Sequence, residues 1–264
     1  MIRGRNKYKH KEWSIRMKNK KQFTFILTAI IIVVGYFWFG YANIYNRITA
    51  GGLSVVDTQY VYYFNLWSSQ RLKYSAMGDS LTAAAGATKY ENSYPYLLAE
   101  NIAGNERQVV LKDFSLLGAR TEDVINKLMP LVIEEQPDMV TLLIGINDVR
   151  ERESEQNFKK NYTYIVDSLS KQTSAKIYLI SIPLIGSETV YLPPYNFYFK
   201  QKTIVFNEII KTIAKDYNLQ YIDITTPTEN IFKKDGSHYS ADSFHLSDEG
   251  YKILADEIYD NLNY

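Results

Sequence analysis

Alternating apolar and polar stretches divide the chain into strand-like and helix-like segments from about residue 72 to its C-terminus. Short apolar or β-branched runs predict five strands, at 73–78, 108–114, 138–144, 175–181 and 219–224. Apolar residues at helical spacing predict helices at roughly 94–103, 121–135, 155–171, 198–216 and 247–262. This alternation predicts an α/β fold, a three-layer α/β/α sandwich with a central, mainly parallel five-stranded sheet. In such sheets the ligand site lies beyond the carboxyl ends of the strands.

Three local signals refine this pattern. Ser93 followed by Pro95 predicts a helix start, and so does Ser247 followed three residues later by Gly250. The proline- and aromatic-rich stretch 183–197 predicts a long loop over the carboxyl edge of the sheet. A loop of that length in a compact domain is typical of a substrate-facing lid.

A different pattern precedes the α/β region. Residues 23–42 contain no charged side chain, and at about 1.5 Å per residue they are long enough to cross a hydrocarbon core of about 30 Å. Three lysines closely precede this segment and a single arginine lies close after it, so the positive-inside rule predicts a cytoplasmic N-terminus. We therefore expect a basic cytoplasmic tail at 1–22, a single-pass transmembrane anchor at 23–42, and an extracytoplasmic remainder on the cell membrane of a bacterium.

Two other interpretations of the apolar segment stay open, a cleaved signal peptide and a buried core helix. A signal peptide usually has an apolar region of about 7–15 residues followed by a small-residue cleavage site. The segment here is longer, and residues 41–45 match an A-x-A site poorly.

The segment 43–71 is expected to connect the anchor to the α/β domain. Six of its apolar residues recur at helical spacing: Leu53, Val56, Tyr60, Tyr63, Phe64 and Trp67. They predict either an amphipathic helix packed against the domain or an aromatic surface in the membrane interface.

Charge and cysteine content exclude several function classes. Residues 1–22 hold nine basic residues and one acid, which leaves 21 basic and 28 acidic residues in the rest of the chain. An acidic body is poorly suited to a polyanion, so nucleic acid is not expected as a partner. The chain has no cysteine, which excludes disulfides, thiol catalysis, thiolate metal sites and a lipid-modified cysteine.

Without cysteine, the candidate nucleophiles are serine, threonine and carboxylates. An activated serine needs a neutral imidazole within hydrogen-bond reach and an acceptor that fixes the tautomer of the imidazole. His10 belongs to the predicted cytoplasmic tail, which leaves His238 and His245. Each ends a D-x-x-H sequence, beginning at Asp235 and at Asp242, so this spacing alone does not choose between them.

Ser80 lies in Gly-Asp-Ser-Leu, directly after the first predicted strand, where an α/β sheet presents its ligand site. It is not a G-x-S-x-G nucleophile elbow, because position 82 is Thr. The sequence resembles the first block of the SGNH (GDSL-type) hydrolases. Three further blocks of that family follow in order, represented by Gly118, by Gly145-Ile146-Asn147-Asp148, and by Asp242 to His245. The resemblance covers residues 72–264.

The resemblance implies a serine esterase that needs no metal or cofactor. Ser80 would be the nucleophile, His245 the general base and Asp242 the residue that orients it. The oxyanion would be bound by the backbone N–H groups of Ser80 and Gly118 and by the side-chain amide of Asn147.

Combined with the predicted anchor, this resemblance implies a membrane-anchored hydrolase of lysophospholipids, other acyl lipids, or acetyl esters on cell-wall polymers. Two alternatives remain. One is an acyltransferase that uses the same triad on a cell-envelope glycan, and the other is a non-catalytic tethered binding module.

Four polar residues beside the blocks have less direct interpretations. Asp79 and Asp148 are expected to be structural partners of the site loops. Arg120 is expected to form a surface ion pair, with contact to an anionic substrate group as the alternative. His238 is expected to have a structural or substrate-loop role.

Overall fold

The computed structural model describes residues 3–50, 61–104, 106–184, 193–227, 229 and 236–263. The chain divides into two compact units, Met1–Asn46 and Arg47–Tyr264. The first unit consists of helix α1, Arg3–Ala50, which continues a few residues past the boundary. Its stretch Lys20–Asn43, with a mean hydropathy of 2.2, is long and apolar enough to cross a membrane. A signal sequence near the N-terminus would meet the same criteria of length and hydropathy. The predicted anchor therefore lies on a helix of suitable length and composition.

The second unit is built on a six-stranded sheet. Its strands are β1 Val61–Phe64, β2 Arg71–Gly78, β3 Gln108–Ser115, β4 Met139–Leu143, β5 Lys176–Ile180 and β6 Gln220–Ile222. They are ordered β1-β3-β2-β4-β5-β6, with β2 to β6 parallel and β1 antiparallel to β3. The α/β class and the mainly parallel sheet are confirmed.

Seven further α-helices of this unit lie wholly within the described ranges. They are α2 Tyr94–Ala103, α3 Thr121–Asp123, α4 Met129–Glu135, α5 Ile146–Arg150, α6 Glu155–Gln172, α7 Tyr195–Asp216 and α8 Asp248–Asp260. Helix α2 packs against α8, and α6 packs against α4 and α7, so these helices form the layers that flank the sheet. The five predicted helical regions are all present, but the one at 121–135 is not a single α-helix.

The interruption in that region has a local cause. A π-helical turn, Val124–Leu128, separates α3 from α4. Pro130 lies in the first turn of α4 and has no N–H to donate to the preceding turn, so a regular α-helix cannot continue through this point.

The amphipathic helix predicted within the connector is wrong for its residues 61–71, whereas residues 43–50 are helical as the end of α1. Val61–Phe64 is a strand, not a helix, and pairs from Val61↔Lys112 to Phe64↔Val109. Its aromatic and β-branched side chains alternate between two environments, since Tyr62 and Phe64 contact Tyr96 while Val61 and Tyr63 are exposed. The sheet therefore has six strands instead of five and begins inside the segment taken as a connector. Leu53, Val56 and Tyr60 lie outside the described residues.

Both predicted helix starts are confirmed. Ser93 Oγ accepts a hydrogen bond from Tyr96 N, and Ser247 Oγ accepts one from Gly250 N. The predicted loop at 183–197 is shorter than expected because α7 begins at Tyr195, and its residues 185–192 lie outside the described residues.

The strand order places a switch point at β2. This strand lies between β3 and β4, so the chain first crosses to one side of β2 and then to the other. A crevice opens beyond the carboxyl ends of strands at such a point. The segments that follow β2, β3 and β4 carry Ser80, Gly118 and Asn147, respectively.

Candidate active site

Ser80 lies in a tight turn that begins where β2 ends. A Cβ at Gly78 would lie 2.1 Å from Thr82 Oγ1 and 2.4 Å from Leu143 O, so only glycine fits between β2 and its own turn. The turn is held by Ala83 N donating to Asp79 O (3.0 Å) and by Asp79 Oδ1 accepting from Leu81 N (3.1 Å). These contacts fix the position of Ser80 at the carboxyl edge.

His245 is carried by a second compact loop, just before α8. The loop is closed by the Tyr239↔Leu246 bridge and by Ser240 N donating to His245 O at 2.9 Å. Inside it, Asp242 Oδ1 accepts hydrogen bonds from Ser240 Oγ (2.7 Å), Phe244 N (2.8 Å) and His245 N (2.9 Å). The carboxylate thus organises the loop and leaves its other oxygen for the imidazole.

The two loops meet at the carboxyl edge. Asp242 Oδ2 lies 2.6 Å from His245 Nδ1, and His245 Nε2 lies 3.1 Å from Ser80 Oγ. Ser80 and His245 are each only 7% exposed. Burial alone would raise the pKa of Asp242, but the hydrogen bonds from His245, Ser240 and Phe244 outweigh it and hold that pKa well below its usual range. The carboxylate is therefore ionised at neutral pH.

Gly118, in the loop after β3, and Asn147, in the first turn of α5, supply hydrogen-bond donors. Gly118 has a φ of +70°, and a Cβ there would meet no atom within 4 Å, so this residue borders open space. The buried Asn147 donates through Nδ2 to Ala119 O at 3.0 Å, which leaves its second amide N–H available. Within the described ranges, the main-chain N–H groups of Ser80 and Gly118 donate to no other protein group.

Residues 76–253, which carry all of these groups, match the GDSL-like lipase/acylhydrolase family. The chain belongs to this family. Its members are esterases and lipases, and this GDSL-family chain is accordingly a serine ester hydrolase.

Several characterised proteins are similar to this GDSL-family chain. The spore germination lipase LipC of Bacillus licheniformis is 24% identical over 210 residues, which is 71% of this chain and 94% of LipC. A lipase/acylhydrolase structure from Enterococcus faecalis is 24% identical with a TM-score of 0.58, and covers 72% of this chain and 94% of its own. The acetyl xylan esterase AlAXEase is 24% identical with a TM-score of 0.57, and covers 73% and 100%. At these identities the structural likenesses show a shared fold.

Asp148 links two segments beside the candidate site in this GDSL hydrolase. It accepts hydrogen bonds from Thr121 N (3.0 Å) and Thr121 Oγ1 (2.6 Å), and so ties α5 to the start of α3. Burial raises the pKa of Asp148 to about 6, against the lowering effect of those bonds. Burial likewise raises the pKa of Asp79 to about 7, although the Leu81 N–H opposes it. Both contacts agree with the structural roles expected for these acids.

Further contacts join the loop that carries Ser80 to the loop that carries His245, and the sequence motifs did not indicate them. The φ of Gly86 is +90°, and a Cβ there would lie 2.6 Å from Leu246 O and 2.7 Å from His245 Cβ. Tyr251 donates its hydroxyl to Ala85 O at 2.7 Å. The close packing at Gly86 and the hydrogen bond from Tyr251 to Ala85 hold the two loops together.

A charged contact completes this link. The Asp248 carboxylate accepts from Thr88 N (2.8 Å) and Thr88 Oγ1 (2.6 Å). The sequence shows Asp248 as an acid in the first turn of a predicted helix, where it favours the positive end of the helix dipole. The sequence does not indicate that Thr88 is its hydrogen-bond partner.

The remaining candidates have other partners. His238 ends a 3-10 helix, and its carbonyl accepts from Ser247 N at 3.0 Å, where it supports the start of α8. Arg120 pairs with Glu122 at 3.4 Å and approaches Glu153 at 4.0 Å, as expected of a surface ion pair. Of the two D-x-x-H sequences, the structure brings the histidine of the second beside Ser80. Among the described residues, no group of three or more His, Asp or Glu side chains could hold a metal ion.

Proposed function

We propose that this GDSL-family hydrolase cleaves carboxylic esters with Ser80 as nucleophile, His245 as general base and Asp242 as the residue that orients the imidazole and stabilises its protonated form. The observation that carries the proposal is the unbroken hydrogen-bonded series Asp242 Oδ2–His245 Nδ1 and His245 Nε2–Ser80 Oγ, at 2.6 and 3.1 Å. All three residues belong to the segment that matches the family.

Proton positions follow from the chemistry of the three groups. An ionised carboxylate only accepts hydrogen bonds, so Asp242 keeps a proton on His245 Nδ1 and leaves the Nε2 lone pair toward Ser80. Nε2 then takes the Ser80 hydroxyl proton as Oγ attacks the ester carbonyl. The imidazolium that results is stabilised by the adjacent carboxylate.

The negative charge of the tetrahedral intermediate needs donors that are already in place. The N–H groups of Ser80 and Gly118 and the free N–H of the Asn147 amide are available for this role. Preorganised donors of this type cost no reorganisation when the charge develops.

The intermediate then collapses and the alcohol leaves with the proton from His245 Nε2. This step leaves the acyl group as an ester on Ser80 Oγ. Water gives a proton to the same imidazole as its oxygen attacks that ester. The second tetrahedral intermediate then collapses, the Ser80 Oγ–acyl bond breaks, and His245 Nε2 returns the proton to Ser80 Oγ as the carboxylic acid leaves. The substrate classes that fit an exported esterase are lysophospholipids or other acyl lipids, and acetyl esters of cell-wall polymers.

The triad is tested by ester hydrolysis with the full-length protein in mild detergent. The substrates are p-nitrophenyl acetate, butyrate and a long-chain ester. The variants are Ser80→Ala, His245→Ala and, as a matched histidine control, His238→Ala. We expect Ser80→Ala and His245→Ala each to lower kcat by about 10³-fold or more, and His238→Ala to retain most activity.

Activity that survives Ser80→Ala, or that is lost in His238→Ala but not in His245→Ala, would contradict the mechanism. The chain-length profile of the parent enzyme separates acetyl-ester chemistry from lipid chemistry. No hydrolysis of any ester by a folded parent protein would refute the esterase proposal itself.

We further propose that α1 anchors the enzyme in the cell membrane, with the N-terminus in the cytoplasm and the hydrolase unit outside. The apolar stretch Lys20–Asn43 and the basic residues before it support this orientation. Because the chain lacks cysteine, single-cysteine variants can report sidedness. In intact cells, a membrane-impermeant maleimide should label Ser170→Cys, at an exposed position of α6, and should label Ser14→Cys only after permeabilisation. Labelling of Ser14→Cys alone in intact cells would refute this orientation, and loss of the N-terminus with release of the enzyme would refute the anchor.

A further inference from the structure

The turn between β1 and β2 holds apolar side chains out in solvent. In this turn, residues 65–70 and hereafter the Trp67 turn, the Trp67 side chain is 97% exposed and that of Leu66 is 61% exposed. No other large apolar residue of the described hydrolase unit is as exposed as Trp67. Trp and Leu side chains of this kind are uncommon at a tip that faces only water.

The shape of the turn does not depend on these side chains. Ser68 N donates to Asn65 O at 3.2 Å, Ser68 Oγ donates to Glu106 O, and Gln70 N donates to Ser68 Oγ at 3.2 Å. Gln70 O in turn accepts from Gln108 N at 2.8 Å. Polar contacts therefore fix the turn while Leu66 and Trp67 project from it. Residues 65–70 also include no charged side chain that would oppose entry into a membrane interface.

The Trp67 turn and the Ser80 site lie at opposite edges of the sheet. β1 ends at Phe64 opposite Val109, and β2 begins at Arg71 opposite Gln108, so the turn lies at the amino edge of the parallel strands. Ser80 follows the carboxyl end of β2. At about 3.3 Å per residue, the eight residues of β2 separate the two edges by roughly 26 Å.

The occupant that these features favour is a lipid surface. The apolar stretch of α1 ends at Asn43 and β1 begins at Val61, so residues 44–60 join the proposed anchor directly to the strand that leads into the turn. Indole rings prefer the headgroup level of a bilayer, where the ring is dehydrated and the N–H still finds a partner. A rigid, uncharged turn with an exposed Trp and Leu meets that requirement.

We infer that the Trp67 turn rests in the outer interface of the membrane and holds the Ser80 edge away from the bilayer. This inference depends on the anchor proposed above and adds an orientation to it. The site then opens toward the aqueous side, about the length of β2 above the lipid. An ester on a soluble or wall-borne molecule reaches such a site directly, whereas a lipid of the same bilayer would first have to leave the membrane. The inferred substrate is therefore a water-borne or wall-borne ester.

An exposed apolar side chain at the carboxyl edge would favour the opposite orientation. Phe197, 64% exposed, lies in the first turn of α7, which follows the loop after β5 at the carboxyl edge. If this side chain met the lipid instead, the site would face the membrane. The two orientations differ in which of Trp67 and Phe197 enters the bilayer.

Tryptophan fluorescence in vesicles distinguishes them. The full-length chain carries Trp13→Phe and Trp38→Phe, so that Trp67 is the only tryptophan. It is reconstituted in vesicles of phosphatidylcholine and phosphatidylglycerol, with and without phosphatidylcholine brominated near the top of its acyl chains. The matched control adds Trp67→Phe and Phe197→Trp, which moves the single tryptophan to the site edge. Insertion on either side of the vesicle gives the same readout, because both leaflets contain the quencher.

The inference expects blue-shifted emission and loss of most of the intensity from Trp67, with solvent-like, unquenched emission from the tryptophan at position 197. Unquenched, red-shifted emission from Trp67 would overturn it, and so would quenching at position 197. Hydrolysis of p-nitrophenyl acetate by the same vesicles, with Ser80→Ala as the blank, is measured in parallel. Intact hydrolysis with unquenched Trp67 refutes only the orientation, whereas quenched Trp67 without hydrolysis refutes only the esterase proposal.

Discussion

At the scale of single residues, two side chains of the site each divide their polar groups between two tasks. One group makes a structural hydrogen bond, and the other stays available for the proposed chemistry. Asp242 uses Oδ1 for three hydrogen bonds within its loop and keeps Oδ2 for His245. Asn147 uses one amide proton on Ala119 O and keeps the other. In both cases the structural bond fixes the direction of the functional one, so orientation is set before a substrate arrives.

The role of Asn147 gives the prediction at this scale. Asn147→Ala removes one of the proposed oxyanion donors, so we expect kcat to fall by about 10²–10³-fold, equivalent to about 2.7–4 kcal/mol, with a smaller change in KM. The measurement is steady-state hydrolysis of p-nitrophenyl acetate. Asn157→Ala, an exposed asparagine in the first turn of α6, is the matched control and should leave kcat unchanged. A raised KM with wild-type kcat would show that Asn147 binds the substrate and the transition state equally, which contradicts a role specific to the oxyanion.

At the scale of elements, two loops far apart in sequence meet because the sheet order brings the ends of β2 and the start of α8 together. The Ser80 loop and the His245 loop are joined by Gly86, by the bond from Tyr251 to Ala85, and by the bond from Thr88 to Asp248. The 3.1 Å distance between Ser80 and His245 therefore depends on packing between the loops as well as on each loop's own turns.

Gly86→Ala tests that packing. The added methyl would lie 2.6 Å from Leu246 O and 2.7 Å from His245 Cβ, and must push the His245 loop away from Ser80. We expect kcat to fall about 10- to 100-fold, since a displacement of about 1 Å at a catalytic group can cost that much. Stability should fall by about 1 kcal/mol or more, because φ is positive at this position.

Gly104→Ala is the control for backbone strain alone. Its φ is also positive, at +44°, but the nearest atom to an added Cβ is Asn101 O at 3.9 Å. This variant should lose stability and keep its kcat. Equal losses of kcat in the two variants would show that the Gly86 effect comes from general destabilisation and not from the His245 loop.

At the scale of the whole molecule, the hydrolase unit buries several carboxyl groups. Burial raises the pKa of Asp113 in β3 to about 7, against the lowering effect of the nearby Ser115 and Tyr90 hydroxyls. Asp79 and Asp148 have pKa values raised to about 7 and about 6. A carboxyl with a raised pKa in the folded state keeps its proton there after the unfolded chain has lost it. Stability is therefore greatest below about pH 4 for these groups and falls as pH rises toward 7.

Asp113→Asn should remove the contribution of this carboxyl group to the pH dependence of stability. We expect the drop in Tm between pH 5 and pH 8 to shrink by several degrees, since a raised carboxyl pKa of this size corresponds to a free energy of unfolding of about 2–4 kcal/mol. The measurement is thermal unfolding of the detergent-solubilised chain at both pH values. Asp260→Asn, at the end of α8 and exposed, should leave the difference unchanged. An unchanged difference in Asp113→Asn would show that this carboxyl does not titrate in that range.

Local patterns in the sequence were sufficient for most of the architecture. The five parallel strands, the starts of α2 and α8, and the apolar stretch of α1 each follow from short-range features: apolar runs, capping serines and a charge-free segment of sufficient length. The four blocks were also visible as residues at strand ends. The resemblance of these blocks to the SGNH hydrolases implied the roles of Ser80, Gly118, Asn147, Asp242 and His245. The positions of the first three after predicted strands agreed with a ligand site at the carboxyl edge of a parallel sheet.

The sequence by itself thus determined the class of fold, the family and the candidate residues, all of which depend on local period, capping and motif. Only the tertiary structure decided that Val61–Phe64 pairs with β3 as a sixth strand, that His245 Nε2 lies 3.1 Å from Ser80 Oγ, and that Gly86 and Asp248 join the two site loops. These features join residues far apart in the chain, as with Ser80 and His245, 165 positions apart. Such contacts are set by strand order and side-chain packing, which no short stretch of sequence encodes.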